Sequence, residues 1–462
     1  MDPWQVTHAD RGERATLIHA RYIVPVRPAG IVFDEHSVAI RDGLILGVKP
    51  RSQAERDWPL AAAVELPDHA LLPGLVNCHT HSPMTLLRGY ADDLDLHVWL
   101  KEHIWPAERE FVGPEFVRDG SMLAIAEMFR SGTTCFNDMY FFPDATIEAC
   151  VAAGMRASIG ITVIEIETAW ARDAGEYIEK GMRLRHQYGD EPLISFAFSP
   201  HAPYTVSNAT LSRIAGLSSD LDIAVHMHLL ETEWEIKQSF QQHDRHPLGR
   251  LEQLGLLNSS LQAVHMAQLS EEDIDKVARA GVQVVHCPQS NLKLASGFCP
   301  VTSLQQAGVN VALGTDGAAS NNDLDLLAEA QTAALLAKGV SGDARAGSAC
   351  EIIEMLTLNG ARLLGLGDRI GSIEAGKQAD FCALDLSAPE TQPLHHVMSQ
   401  LVYAASSRQI SDVWVAGRRV LDAGRLTTID IDDVLERARS WQVKLAGLEN
   451  RRLLAQRQES AS

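Results

Sequence analysis

The chain has 462 residues, 46% hydrophobic and 22% charged, a composition that supports one extensive core with a satellite beside it. Its 60 acidic against 40 basic residues leave a formal net charge of -20, which repels polyanions and sets aside nucleic acid and anionic membrane surfaces as partners. No run nears the ~20 apolar residues of a membrane span. The opening MDPWQVTHADRGER is too polar for a secretory leader, and the cysteines are scattered without a CxxC pair, so a cytoplasmic location is expected.

In chain order, residues 1–14 are expected to be flexible. Residues 15–68 hold short strand-like pieces, ATLIHARYIV and SVAIRDGLILGV among them, separated by Gly-containing turns. From Leu71 to Asp316, apolar and often β-branched runs of strand length alternate with longer stretches of helical period. The runs are LLPGLVNCH (71–79), TTCFND (133–138), RASIGITV (156–163), LISFAFSPH (193–201), IAVHMHL (223–229), QAVHM (262–266), VQVVHC (282–287) and VNVALGTD (309–316). This alternation predicts an α/β fold of parallel βα units, and eight of them make a (β/α)8 TIM-like barrel, with an open doubly wound sheet as the alternative. In LSEEDIDKVARAG, Ser270 and Asp273 form a capping box and Gly281 ends the helix, which supports the pattern locally.

Two further helices, over 322–339 and 348–367, close the barrel region, and strand-like pieces return in GSIEAGKQADFCALD and ISDVWVAGRRVLDAG. Neither flank is large enough for a core alone. Residues 15–68 and 370–430 are therefore expected to pair into one small β-sandwich domain built from both chain ends, beside a barrel over 69–369. Residues 431–462 read as a C-terminal helix, with Val434, Ala438, Trp441 and Leu445 on one face, and a loose tail.

The chemistry gathers where the strands end. His79 and His81 are two apart, so the strand's period of two aims both imidazoles the same way. His228 closes the fifth run, His265 the sixth and Asp316 the eighth, at the carboxyl ends where active sites of such barrels lie. Three neutral imidazoles and a carboxylate suit a borderline-soft ion such as Zn²⁺ with a position left for water, so His79, His81, His228 and Asp316 are read as metal ligands. One histidine at a strand end is usually a hydrogen-bonded core residue; the coincidence of five rim positions favours a site.

PGLVNCHTH, HMHLLET, the lone AVH and LGTDGAASNN, in this order, resemble the amidohydrolase superfamily over residues 15 to about 425. Within it, SNLKLASG (290–297), the HMHLLET glutamate and GTDGAASNN resemble the adenosine-type deaminases acting on S-adenosylhomocysteine and 5'-methylthioadenosine. The resemblance implies one Zn²⁺ per chain: binuclear members carry a metal-bridging lysine at the end of the fourth strand, where ISFAFSPHAPY has none and offers His201. That histidine matches a substrate-contacting position, the alternative being a rim histidine bonded to backbone. The resemblance also implies catalytic roles. Glu231 would carry a proton from water to ring nitrogen N1, His265 would orient the attacking water, and Asp316 would pass a second proton to the departing ammonia. The other reading of Glu231 is a solvated carboxylate at the head of the helix TEWEIKQSF.

In the loop GYADDLDLHVWLKEHIWPAERE, the resemblance implies that Trp99 packs on the nucleoside and Glu108 accepts hydrogen bonds from the ribose hydroxyls, the alternative being a solvated surface acid. Members that take S-adenosylhomocysteine carry arginine after the third strand for the amino-acid tail. Here GMRASIGITVIEIETAWARDAG departs from that pattern and leaves only Arg172 nearby, which favours 5'-methylthioadenosine, a substrate without a charged tail. The expected function is hydrolytic deamination of 5'-modified adenosines to the inosine analogue and ammonia. A second reading keeps the site and changes the ring to guanine, pterin or triazine, as an aminohydrolase or chlorohydrolase. A remote one, a non-catalytic assembly protein, would be expected to have lost its ligands. Nucleic-acid deaminases carry HxE and PCxxC, which are missing here. The expected partners are a small-molecule nucleoside and, compatibly with this reading, further copies of the chain in a homo-oligomer.

Overall fold

The computed structural model describes the backbone of residues 15–459 and the side chains to residue 448; the segment 1–14 and the end of the tail lie outside the described residues. Four strands open the chain: β1 (Thr16–Ile23), β2 (Phe33–Arg41), β3 (Leu44–Pro50) and β4 (Ala62–Pro73). The next eight alternate with helices: β5 (Leu75–Thr80), β6 (Thr133–Asp138), β7 (Arg156–Val163), β8 (Ile194–Pro200), β9 (Val225–Leu229), β10 (Leu261–His265), β11 (Gln283–His286) and β12 (Val311–Leu313). Strands β13 (Phe381–Asp385), β14 (Ile410–Val415), β15 (Arg418–Asp422) and β16 (Arg425–Leu426) follow, and a helix over Ile431–Glu459 ends the described chain.

Strands β5 to β12 lie side by side in sequence order and pair in parallel. A doubly wound sheet would reverse order at a switch point, so the barrel is the correct choice. Its two ends meet at a seam. The Asp316 amide donates to the His79 carbonyl at 3.0 Å, while Asn77 Nδ2 donates to Thr315 Oγ1 at 2.8 Å and the Thr315 amide to Asn77 Oδ1 at 3.0 Å. Gly314 permits this approach, because a Cβ there would lie 2.9 Å from the His79 backbone nitrogen. Val76 and Cys78 face outward and touch the place a Gly360 Cβ would take, on the helix Leu358–Leu363.

The run LLPGLVNCH is not one strand. Leu71, Leu72 and Pro73 belong to β4, where they pair antiparallel with β13, and Leu75 starts the barrel. Gly74 makes the break: a Cβ there would sit 2.1 Å from Thr134 Oγ1. The barrel interior also departs from the usual filling of branched apolar residues. Asn77, Asn137, His226 and Gln262 are buried, and the Asn137 amide donates to Gln262 Oε1 at 3.2 Å.

The other eight strands form one mixed sheet in the order β16-β15-β14-β13-β4-β1-β2-β3, with β1 and β4 parallel and the other pairs antiparallel. Strand β3 then reaches back to the segment ahead of β13, where the Ile45 amide and carbonyl bond Lys377 and Gly376, each at 2.8 Å. Ile18, Val38, Ile45, Leu71, Phe381 and Trp414 of this sheet form one buried cluster, to which both ends of the chain contribute. Arg156, at the start of β7, grips Asp380 through two bonds of 2.9 and 3.0 Å, both side chains being buried, and so fixes the barrel to this sheet. The terminal helix lies on the helix Pro114–Arg130: Val434, Trp441 and Leu445 are buried, and the Trp441 indole donates to Asp119 at 2.9 Å. Among the described residues no helix is long and apolar enough to cross a membrane.

Candidate active site

His79 lies near the end of β5 and His81 just beyond it, β9 carries His228, and the turn after β12 carries Asp316. One ligand atom from each lies within 4.8 Å of the others. His228 Nε2 is 3.2 Å from His79 Nε2 and 3.3 Å from His81 Nε2, and Asp316 Oδ1 is 3.3 Å from both of those nitrogens. Such spacings suit donors turned toward one shared ion. Ligands roughly 2.0 Å from a zinc-sized ion at tetrahedral angles lie about 3.3 Å apart.

Each donor is aimed by a partner behind it. His81 Nδ1 donates to the Met139 carbonyl at 2.6 Å and His228 Nδ1 to the His201 carbonyl at 2.7 Å, which leaves both Nε2 lone pairs toward the centre. His79 Nδ1 meets His226 Nε2 at 2.8 Å, a partner the sequence did not reveal. Asp316 sits at φ +64° in a turn where the Ser290 and Ser320 hydroxyls donate to Oδ2 at 2.6 and 2.8 Å and the Gly317 amide to Oδ1 at 2.8 Å. Burial lowers His79 to about 4 and drives His228 well below its ordinary value, so both are neutral and free to ligate near pH 7. Burial alone would raise Asp316, but His79 and His81 hold it well below the usual carboxylate range. Burial likewise opposes His81, whose bond to Asp316 raises it instead.

Glu231 and His265 flank this cluster, His265 Nε2 being 4.0 Å from Glu231 Oε2. The segment SNLKLAS serves the whole group. Ser290 holds Asp316, Asn291 Oδ1 accepts from His265 Nδ1 at 2.9 Å, and the Ser296 hydroxyl donates to Glu231 Oε1 at 3.2 Å. Glu231 is buried, not solvated, and burial raises its carboxyl above the ordinary value.

The cluster forms the floor of a cavity of about 490 Å³ whose walls include Trp99, Trp105, Glu108, Tyr140, Phe142, Ile164, His201 and Leu294. Trp99 is buried and its indole nitrogen has no hydrogen-bond partner among the described residues. Glu108 accepts from the Tyr140 hydroxyl at 2.7 Å, and burial pushes its carboxyl up to about 7. Tyr140 carried no signal in the sequence, because only the fold brings it to Glu108. The His201 carbonyl accepts from His228 Nδ1, while its ring lines the cavity and contacts Thr205 Oγ1 at 3.1 Å. Burial lowers that ring to about 3, which keeps it neutral. Arg172 is placed elsewhere. It is exposed, absent from the cavity wall and paired with Glu176 at 2.9 Å, four residues along the chain.

The sequence profile of the Amidohydrolase family matches residues 70–420. The 5-methylthioadenosine/S-adenosylhomocysteine deaminase of Teredinibacter turnerae is 50% identical over 428 residues, covering 93% of this chain and 97% of that protein. A crystal structure of an adenosine deaminase from Xanthomonas campestris with bound zinc superposes with a TM-score of 0.93 at 52% identity, covering 94% of this chain and 99% of that one. An atrazine chlorohydrolase from Arthrobacter aurescens complexed with zinc reaches a TM-score of 0.86 at 22% identity, over 92% of this chain and 99% of its own, and so shares the fold. With the barrel, the clustered ligands and a profile match over most of its length, the chain belongs to the amidohydrolase family.

Proposed function

We propose that the protein is a zinc-dependent deaminase of 5'-modified adenosines, 5'-methylthioadenosine first among them, giving the inosine analogue and ammonia. The observation that carries this reading is the cavity itself: Glu231 and His265 flank the ligand cluster at its floor, and the Glu108–Tyr140 pair stands in its wall. The relatives named as deaminases of such nucleosides, and the zinc in the Xanthomonas structure, support it. The donor set of three imidazoles and one carboxylate fits zinc, one ion per chain, which would supply an activated water near neutral pH.

Around that water the chain's own groups divide the work. His265, its Nδ1 committed to Asn291, presents Nε2 to orient the water toward C6 of the adenine ring. Glu231, with a proton affinity raised by burial, gives N1 a proton as the oxygen adds, so that charge does not build on the ring. Asp316 takes the proton that remains on the added oxygen and passes it to the amine, which leaves as ammonia as the C6–N bond breaks. Trp99 covers the nucleoside, Glu108 takes the ribose hydroxyls and His201 contacts the substrate. With Arg172 outside the cavity, the arginine expected to hold an amino-acid tail is not in place, which favours an uncharged thioether at the 5' end. The substrate is a free nucleoside, turned over in the cytoplasm.

A substrate panel followed by the adenine-to-hypoxanthine absorbance change, with metal analysis of the same sample, tests this. Turnover of 5'-methylthioadenosine with one zinc per chain is expected. If guanine or a triazine reacted and no adenine nucleoside did, the ring assignment would be wrong while the metal site stood.

A further inference from the structure

Four residues after Glu231 stands a second buried carboxylate, Glu235, which is not one of the clustered ligands. Its Oε1 accepts from the Leu230 amide at 2.9 Å and its Oε2 from the Glu231 amide at 3.2 Å. Glu235 is the third residue of the helix Glu233–His243, whose N-cap Thr232 has no side-chain cap bond. A carboxylate at that position ordinarily turns back to the N-cap amide. Here it reaches one and two residues further, onto the residue that faces the cavity and the one before it.

The turn it holds needs holding. Leu230 has φ +51°, a left-handed conformation that strains a residue with a branched side chain. The Leu230 carbonyl is taken by the Gln268 amide at 2.9 Å, so with Glu235 on the nitrogen side both faces of that peptide are fixed. The chain leaves β9, turns at Leu230 and delivers Glu231 within reach of Ser296 and His265.

We propose that Glu235 is the positioning residue of Glu231: by binding two successive backbone amides it fixes the left-handed turn that aims Glu231 at the reacting ring. The proposal rests on the proton-transfer role given to Glu231 above. A displacement of about 1 Å in such a group costs on the order of 10²-fold in rate, even when substrate binding is kept.

A double-mutant cycle in the zinc-loaded enzyme tests it, with kcat, KM and metal per chain measured for 5'-methylthioadenosine. Glu235→Ala is expected to lower kcat by about 10²-fold with KM within about threefold and the metal content unchanged. Glu235→Gln keeps one acceptor and the side chain's volume, and is expected to fall between Glu235→Ala and the native enzyme. In a Glu231→Gln background neither change should lower kcat further, because the group being positioned is already disabled. If the losses multiply, or if Glu235→Gln leaves kcat untouched, Glu235 is a helix-end support only and the proposal is overturned. Full activity in Glu231→Gln alone would remove the catalytic reading of Glu231 and this proposal with it.

Discussion

Glu108 stands in the cavity wall with one oxygen taken by the Tyr140 hydroxyl, and burial moves its pKa up to about 7 despite that bond. A carboxylate can accept from ribose hydroxyls; the acid form loses that acceptor. As pH falls through about 7 the group takes up a proton, so kcat/KM for nucleosides should fall there, chiefly through KM. Glu108→Gln should cost roughly 10- to 100-fold in kcat/KM, the worth of a charge-assisted hydrogen bond, and should flatten that acidic limb. A pH profile of both forms decides the matter, and an unchanged limb in the variant would assign it to another group. At this scale the sequence reveals some residues and hides others for a physical reason. His79, His81, His228 and Asp316 are legible because ligands at strand ends obey a period and a topology. Tyr140, Ser290 and Asn291 are not, because hydroxyls and amides occur everywhere and acquire a role only through contacts distant in sequence. Arg172 misled because nearness to the end of β7 does not aim a guanidinium; Glu176, one helical turn away, captures it.

Among the elements, the short helix Pro288–Lys293 and the turn after it do more than their length suggests, since they support Asp316, His265 and Glu231 together. Ser290→Ala removes one of two hydroxyls on Asp316 Oδ2 and should weaken metal affinity by about 10- to 100-fold. Competition with a chelating dye measures this, and unchanged affinity would mean that Ser320 suffices alone. The strands show where pattern reading loses resolution. VNVALGTD reads as eight strand residues, yet only Val311–Leu313 pair in the sheet, because the chain must turn left-handed at Asp316 to present its carboxylate. LLPGLVNCH reads as one run, yet it serves two sheets, because the chain breaks at Gly74: Leu71 is buried in the core of the mixed sheet and Val76 and Cys78 against the barrel's closing helix, while Leu72 and Leu75 share the large core between them.

For the molecule as a whole, alternation of strand-like and helical runs was enough to predict the barrel, and the insufficiency of each flank was enough to predict that they combine. The clamps between these parts were not legible. Arg156 and Asp380 lie more than two hundred residues apart in sequence, and only the folded chain explains why a buried charge pair sits between barrel and sheet. The same holds for Trp441, which joins the cluster containing Trp99 and so braces the cavity's wall from the far end of the chain.

The seam between β5 and β12 has a thermodynamic corollary. His79 and His81 lie on one side of it and Asp316 on the other, so an ion gripped by all of them acts as a rivet through the joint of a ring. Any opening of that joint must first release the ion, and binding free energy is thereby converted into resistance to opening, about 2.7 kcal/mol at a free-ion concentration one hundred times Kd. Stripping the metal should therefore speed amide exchange selectively at 75–80 and 311–316, while the pairing of β7 with β8, remote from the joint, keeps its protection. A uniform rise across the barrel would mean instead that the ion stabilises the fold without guarding its point of closure.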